Sequence, residues 1–451
     1  MEATSALARA AALAPLALAA CMSRGTQQYA AQREALERAQ PAAAARAMDD
    51  PFAGTAVLSR DALVRAVLER NPGIDAARSA WRAALARYPQ ATALDDPMLG
   101  YNTRPRSYGA DEVDAAHDVM ISQALPFPGK RALRGESALA AADAARGELE
   151  SERVRLAALA SRQLDEAWLA ERALETNARH LALLADAERV ALARYTAGEG
   201  AQYDVLAAES EQGMLAQRER ELVAERRVIH ERINQLLHRA PGGGLPAVPA
   251  ELEPLAPPDL DEAALIARAL ETHPELEALR ATVRAGESEV ALARREFLPD
   301  FTLRAAYEGT WQEDALKPGV GVEINLPLQL ARRRAALDEA QARLARDEHR
   351  ARRAEDRIRF EVVSAVERLR EAQHLLEISQ SKRIPPARNR VASARAAFAA
   401  GRASFLEFVD AERALLAAEL EELEVRASLS IRRAALARAL GEALTASEER
   451  P

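Results

Sequence analysis

One cysteine, Cys21, is present in 451 residues, so disulfides within the chain are excluded. Aromatic side chains make up only 4 % of the sequence, which argues against two or three ordinary globular domains. Beyond the first residues there is no uninterrupted apolar run of roughly 18 or more, the length a transmembrane helix requires. If this chain crosses a membrane, strands must do it. Basic blocks are also missing: 61 Lys and Arg stand against 69 Asp and Glu, a net charge of -8, which gives nucleic-acid binding little support. Proline is absent from Arg131 to Ala197, where only Gly135 and Gly147 interrupt the run. At ~1.5 Å per residue such a segment forms a helix about 100 Å long. What is present agrees with this. Ala, Leu, Arg and Glu dominate and 29 % of residues are charged, as in long helices that pack through narrow Ala/Leu seams with charged flanks in water.

The position of Cys21 matters more than its number. It closes the apolar stretch "LAPLALAAC", which resembles the lipobox of bacterial lipoproteins. That likeness implies a signal peptide over 1–21, cleavage before Cys21 and acylation of the new N-terminus, a membrane tether. Met22 in the next position favours the outer membrane. Residues 22–57 then read as an N-terminal linker.

The chain repeats itself. "DALVRAVLERNPGIDAAR" (61–78) returns as "AALIARALETHPELEALR" (263–280), "VMISQALPF" (119–127) as "VGVEINLPL" (320–328), and "YTAGEGAQYDVLAAE" (195–209) as "FAAGRASFLEFVDAE" (398–412). The spacing is about 202 residues each time, in one order, which marks a tandem duplication. The copies run over 58–240 and 259–451, and prolines and glycines mark 241–258 as the linker between them. Each copy reads helix, strand, strand, long helix, tight turn, helix. Ser59 is a candidate N-cap, Asp259 and Glu262 form a D-x-x-E capping pattern, and Asn71-Pro72 steps the opening helix.

Strands are expected at about 97–104, 118–126, 299–308 and 319–327, where apolar and polar residues alternate with period two. Alternation over roughly 8–10 residues fits a transmembrane β-strand with one face to lipid and one to water. Asn102 and Arg104, Ser122, Arg304, and Glu323 and Asn325 then belong to the water-facing side. Tyr101, Tyr108, Tyr307 and Trp311 are candidates for an interfacial girdle. Alternation alone also fits a small soluble sheet covered by helices. Closure discriminates: a membrane barrel needs about eight strands, and open edges cannot face lipid, so spanning strands require several chains in one barrel.

Coiled-coil spacing follows the strands, with Leu149 and Leu156 seven apart and Leu174 and Leu181 likewise. The matching helix of the second copy is interrupted by Pro385 and Pro386. Gly198 and Gly401 sit where chain reversals require positive φ. Gly129-Lys130 is not a P-loop, because Ala124 and Arg131 stand where glycine and Ser/Thr are needed. The seven histidines are dispersed, so neither a metal site nor another cofactor is expected.

The duplication, "VLERNP" (67–72), the strand-to-helix "LPFPGKR" junction (125–131) and the twice-repeated [YF]-x-x-G turn together resemble the TolC-like outer-membrane efflux factors. "DDPMLGY" (95–101) and the junction look most like the heavy-metal resistance branch. The resemblance implies a mostly α fold with a small β part, assembled as a homotrimer. Twelve strands would form one outer-membrane β-barrel, continuous with a periplasmic α-helical barrel. It further implies a conduit and not an enzyme, anchored in outer-membrane lipid and extending into the periplasm. Its partners would be a periplasmic adaptor and an inner-membrane pump of the resistance-nodulation-division type. Pro126 and Pro327 would mark the barrel-to-tunnel boundary, with Pro128 and Gly129 in the first copy only. The periplasmic tip would carry Tyr195, Gly198 and Asp204 in copy one and Phe398, Gly401, Glu407 and Asp410 in copy two. Glu407 and Asp410 match acidic positions that ring the tip entrance, whereas Phe398 replaces a gate tyrosine and Ala403 a gate arginine. Two other readings remain open at this level, a periplasmic adaptor and a coiled-coil scaffold. Neither accounts for two strand pairs.

Overall fold

The computed structural model describes residues 24–39, 50–103, 117–252, 261–309 and 317–443. Cys21, Arg104, Tyr108, Asp259, Trp311 and most of the two strand-joining loops lie outside them. The elements in chain order are α1 (24–38), α2 (Arg60–Arg70), α3 (Pro72–Leu85), α4 (Arg87–Thr92), β1 (Met98–Thr103), β2 (His117–Leu125), α5 (Lys130–Thr196), α6 (Gln202–Leu236), α7 (Glu262–Thr272), α8 (Pro274–Arg295), β3 (Phe301–Glu308), β4 (Pro318–Ile324), α9 (Leu330–Ile378), α10 (Ile384–Ala399) and α11 (Phe405–Ala439). The strands form one antiparallel sheet in the order β1-β2-β3-β4.

Local chemistry accounts for the helix boundaries. The Ser59 hydroxyl accepts from the Ala62 amide at 3.2 Å and starts α2. Asn71 Oδ1 accepts from the Gly73 amide at 2.9 Å, and Pro72 takes the first helical position of α3. The cap of α7 is Asp261 and not the expected Asp259: its carboxylate accepts from the Ala263 and Ala264 amides. The prolines of the second copy are absorbed by a π-helical turn, Ser379–Arg383, which sets Pro385 and Pro386 in the first turn of α10, where a missing N–H leaves no bond unmade.

Two compact units emerge, and each draws on both sequence repeats. The first unit holds the sheet, α1, α4, α8, most of α3, the start of α5 and the first half of α9. Its buried residues include Leu36, Trp81, Leu85, Leu139, Leu149, Leu276 and Val290. Residues 24–38, expected to be linker, instead form a helix docked in this unit. Tyr29 stacks on Tyr88 with ring centroids 5.1 Å apart, and the Gln32 amide donates to Asp143 at 2.8 Å. Tyr29 and Leu36 are the large apolar side chains of this stretch, too few to show a helical period by pattern alone.

The second unit holds α2, α6, α7, α10, α11 and the remainder of α5 and α9. Residues of the expected inter-repeat linker pack here: the Leu58 amide donates to the Ala247 carbonyl at 2.9 Å, and Trp168 Nε1 to Ala250 O at 3.2 Å. The unit is cross-braced by a buried ion pair. Arg60 Nη2 lies 2.6 Å from Asp165 Oδ1 and also donates to the Ser430 hydroxyl at 2.9 Å, tying α2, α5 and α11 together. Burial pushes the Asp165 carboxyl above the ordinary range, and the charge and hydrogen bonds of Arg60 oppose that shift.

Breaking this pair from one side strands a buried charge. Asp165→Ala is expected to cost about 3–5 kcal/mol, whereas the double change Arg60→Met, Asp165→Leu costs far less. Thermal unfolding followed by helical circular dichroism measures both. Equal losses in the two proteins would show that the pair is not the brace described.

Candidate functional site

Register places the strand side chains on two faces of opposite character. Pairing puts Leu99, Ile121, Ala305 and Val320 in one row and Tyr101, Val119, Tyr307 and Pro318 in the next. Leu303, Val322 and Ile324 extend this apolar face, and Gln123, Thr103 and His117 are its polar members. These apolar side chains are largely exposed, Leu99 at 77 % and Val320 at 92 %. From strand spacing and rise, the face covers on the order of 400 Å², the size of the largest apolar patch on a typical soluble monomer, which is often a functional surface. The opposite face brings together Asn102, Asp118 and Glu308 in one row and Ser122 with Arg304 in another. Arg304 reaches diagonally to Glu323 at 3.4 Å. Asn102, Ser122, Arg304 and Glu323, expected to face water, therefore share one face. Asn325 lies just past β4, its amide donating to Asp300 O at 3.0 Å.

At the end of β2, Pro126 and Pro128 terminate pairing, and Gly129 turns the chain into α5 with φ +91°. A side chain at Gly129 would collide with the Arg295 guanidinium, which donates to Pro128 O at 2.7 Å. Lys130, at 1 % exposure, is among the largest fully buried side chains of the described residues. Its ammonium has three acceptors: Asp300 at 2.9 Å, Glu296 at 3.1 Å and Leu298 O at 3.2 Å. Asp300 also accepts from the Phe127 amide at 2.7 Å. The segment joining α8 to β3 thus locks the first junction. At the second junction, past Pro327, Arg333 Nε donates to Glu296 O at 2.7 Å, as Arg131 Nε donates to Thr92 O at 2.9 Å. Both copies place a cation on a helix C-terminus, where the dipole favours it. The burial of Lys130 was not foreseen; its one signal was a lysine between a glycine turn and a helix, with Asp300 and Glu296 before the other strand pair.

The two reversing turns share one geometry. Gly198 (φ +75°) and Gly401 (φ +70°) stand at the C′ position. The Glu199 amide closes onto Arg194 O at 2.9 Å and the Arg402 amide onto Ala397 O at 2.8 Å, the six-residue Schellman bond. Phe398 does not stand free there. It is buried with Phe405 and Phe408 in an apolar cluster that includes Leu184, Ala191 and Val409. Arg194 lies over the Phe398 ring at 5.2 Å from its centroid and donates to its carbonyl at 3.0 Å. Tyr195, by contrast, is exposed and Asp204 half-buried. Glu407 and Asp410 are exposed in the first turns of α11, where Ser404 caps the Glu407 amide at 3.3 Å and Arg413 stands 3.9 Å from Asp410.

Farther along α5, His180 is clamped between two carboxylates. Its Nδ1 lies 3.0 Å from Glu412 and its Nε2 3.3 Å from Glu419, both on α11. Burial alone would lower the imidazole pKa. The two carboxylates outweigh it and hold the pKa above its ordinary value. Arg179 and Arg388 also face Glu419, which is held below the carboxylate range by His180 first. The clamp was missed in the sequence; its signal was two glutamates seven residues apart on a helix face otherwise apolar. Among the described residues no group of three or more His, Cys, Asp or Glu converges to hold a metal, and no helix is long and apolar enough to cross a membrane.

Residues 265–442 match the sequence model of the outer membrane efflux protein family. No curated protein matches the chain significantly. Several solved structures share its fold. The outer-membrane channel OprN aligns with TM-score 0.72 at 20 % identity, covering 89 % of this chain and 97 % of its own. The outer membrane protein VceC of Vibrio cholerae aligns with 0.72 at 18 %, covering 85 % and 96 %. CusC, whose structures concern folding and transmembrane channel formation, aligns with 0.73 at 16 %, covering 88 % and 95 %. The resemblance read from the motifs is therefore upheld, and the fold is that of TolC-like outer-membrane channels.

The histidine clamp generates a pH dependence. A folded-state pKa raised above about 6.5 contributes stability that is complete below that pH and is lost as pH rises through the elevated value. Wild-type melting temperature is expected to fall relative to His180→Gln as pH is raised from about 6. Parallel profiles would remove His180 from the account. At the junction, Gly129→Ala is expected to destabilise by more than about 1 kcal/mol, from backbone strain and the displaced Arg295. Chemical denaturation in detergent checks it, and an unchanged midpoint would contradict it.

Proposed function

We propose that this chain is the outer-membrane channel of a tripartite efflux system, passively conducting solutes from periplasm to exterior as a homotrimer. The observation that carries the reading is the sheet: an exposed, mainly apolar face, an opposite face that carries Asp118, Arg304, Glu308 and Glu323, and two edge strands each paired on one side only among the described residues. Such a sheet fits lipid on one side and a water-filled lumen on the other, but only when other chains pair its edges. The family match and the shared fold support the same reading. Cys21 would carry the lipid anchor, in the outer membrane.

Selectivity in this reading follows from charge. Arg304, Glu323, Asn102, Ser122 and Asn325 line the barrel lumen. Glu407 and Asp410 place carboxylates at the tip entrance, where rings of acidic side chains favour cations. Asp204, Tyr195, Gly198 and Gly401 complete the tip, and Phe398 acts there by packing. Exposed apolar side chains near both turns, Tyr203, Leu206 and Leu406 among them, suit docking of a periplasmic adaptor that links the channel to an inner-membrane pump. Energy comes from that pump, of the resistance-nodulation-division type, and the conduit performs no reaction itself. Metal cations fit the acidic tip and the "DDPMLGY" and "LPFPGKR" motifs better than large drugs do.

Purified protein is expected to require detergent, to sediment as a trimer and to conduct in planar bilayers. Glu407→Ala, Asp410→Ala is expected to lower cation-over-anion selectivity by several-fold. A wild-type protein that stays monomeric in water without detergent would end this reading; unchanged selectivity in the double variant would end only the role given to the two carboxylates.

A further inference from the structure

The duplicated junctions are not equally satisfied, and the difference points to a specific contact between copies of the chain. Arg131 and Arg333 make the same bond in their own repeats, to Thr92 O and Glu296 O. Their neighbours Lys130 and Arg332 are therefore equivalent. Carrying the same correspondence forward equates Leu94 with Leu298 and Asp96 with Asp300. The strand registers confirm it: Met98↔Ser122 in the first hairpin falls on Thr302↔Glu323 in the second.

Within the chain, the first junction docks on the strand entry of the second repeat. Lys130 is buried on Asp300, and Phe127 stacks on Phe301 with centroids 6.3 Å apart. The second junction has no such seat. Arg332 is exposed without an ion pair among the described residues, and Leu328, the counterpart of Phe127, is 81 % exposed. On the other edge of the sheet the equivalent seat stands empty: Asp96 is exposed and unpaired among the described residues, beside the exposed Met98 and Leu99. One edge offers a cation and an apolar side chain. The other offers a carboxylate and an apolar strand end.

We infer that Arg332 of one copy pairs with Asp96 of the next, repeating between chains the Lys130–Asp300 contact made within one, and that this contact sets the register of the joint. Applied to the edges, the β2–β3 register, in which Ile121 faces Ala305, places Val322 of β4 opposite Tyr101 of β1 in the neighbouring copy. The pairing is antiparallel, because β4 and β1 run in opposite senses in the alternating sheet. The occupant is a second copy, since the template for the joint is the chain's own internal one. The inference rests on the trimeric-channel reading and adds to it which residues meet.

Two measurements on the full-length protein in detergent test it. Arg332→Asp and Asp96→Arg should each raise the concentration of half-dissociation of the trimer, read by light scattering, by at least ~10-fold, and the combined swap should restore it to within ~3-fold of wild type. Val322→Cys, Tyr101→Cys should give intermolecular disulfides absent from either single substitution, each of which retains Cys21 as a control. Opposed positions on paired strands bring Cβ atoms within about 4.5–5.5 Å. A trimeric, conducting wild type whose charge reversals leave dissociation unchanged, or whose swap is no better than the single variants, overturns the ion pair. Absence of the crosslink in that trimer overturns the register. A monomeric, non-conducting wild type overturns the trimeric reading and this contact with it.

Discussion

Unpaired backbone at the two edges of a four-stranded sheet is the constraint on which the remainder of this molecule turns. Each edge strand has N–H and C=O groups that β2 or β3 does not reach. In water those groups are solvated. In lipid each unsatisfied group costs several kcal/mol, so a sheet with an apolar outer face must find more strands. The antiparallel order leaves β4 and β1 able to pair edge to edge, and the internal duplication supplies a geometry for doing so. In the proposed trimer the fold is therefore an incomplete object completed by itself.

The sheet also has to be held at a fixed position on the helices, and charge does this work in the first unit. A lysine ammonium withdrawn from water is tolerable only when its donors are satisfied, and Lys130 has two carboxylates and a carbonyl within 3.2 Å. The same turn of chain accepts Arg333 on a helix C-terminus. A rigid junction keeps the two faces of the sheet apart, because a strand that slid relative to its helix would slip register and turn its apolar side chains toward the wrong face.

The second unit is organised differently. Its long helices meet through small residues and leucines, a surface that permits neighbouring registers. Buried polar contacts, Arg60 with Asp165 and Ser430, and His180 with Glu412 and Glu419, distinguish one register from the others, since a shifted helix would strand a charge. At the turns, an apolar cluster under Arg194 fixes Phe398 while Glu407 and Asp410 remain in solvent. Packing and charge are thereby separated: the phenylalanine holds the turn, and the carboxylates stay in water.

The duplication, the four strands and their two faces, the 67-residue α5 and the two glycine turns were all legible in the amino-acid order. These follow from local rules: period-two alternation, absence of proline, and a backbone angle that favours glycine. The caps at Ser59 and Asn71 were legible for the same reason, since each acts within three residues of itself. The helix at 24–38 and the cap at Asp261 were not, because a short amphipathic stretch and two nearby aspartates leave the choice to packing. Tertiary structure alone decided that Lys130 is buried, that Phe398 packs inward, and that His180 lies between glutamates more than two hundred residues away along the chain. A side chain's partners across such separations depend on how helices are registered against one another, and no local pattern encodes that register.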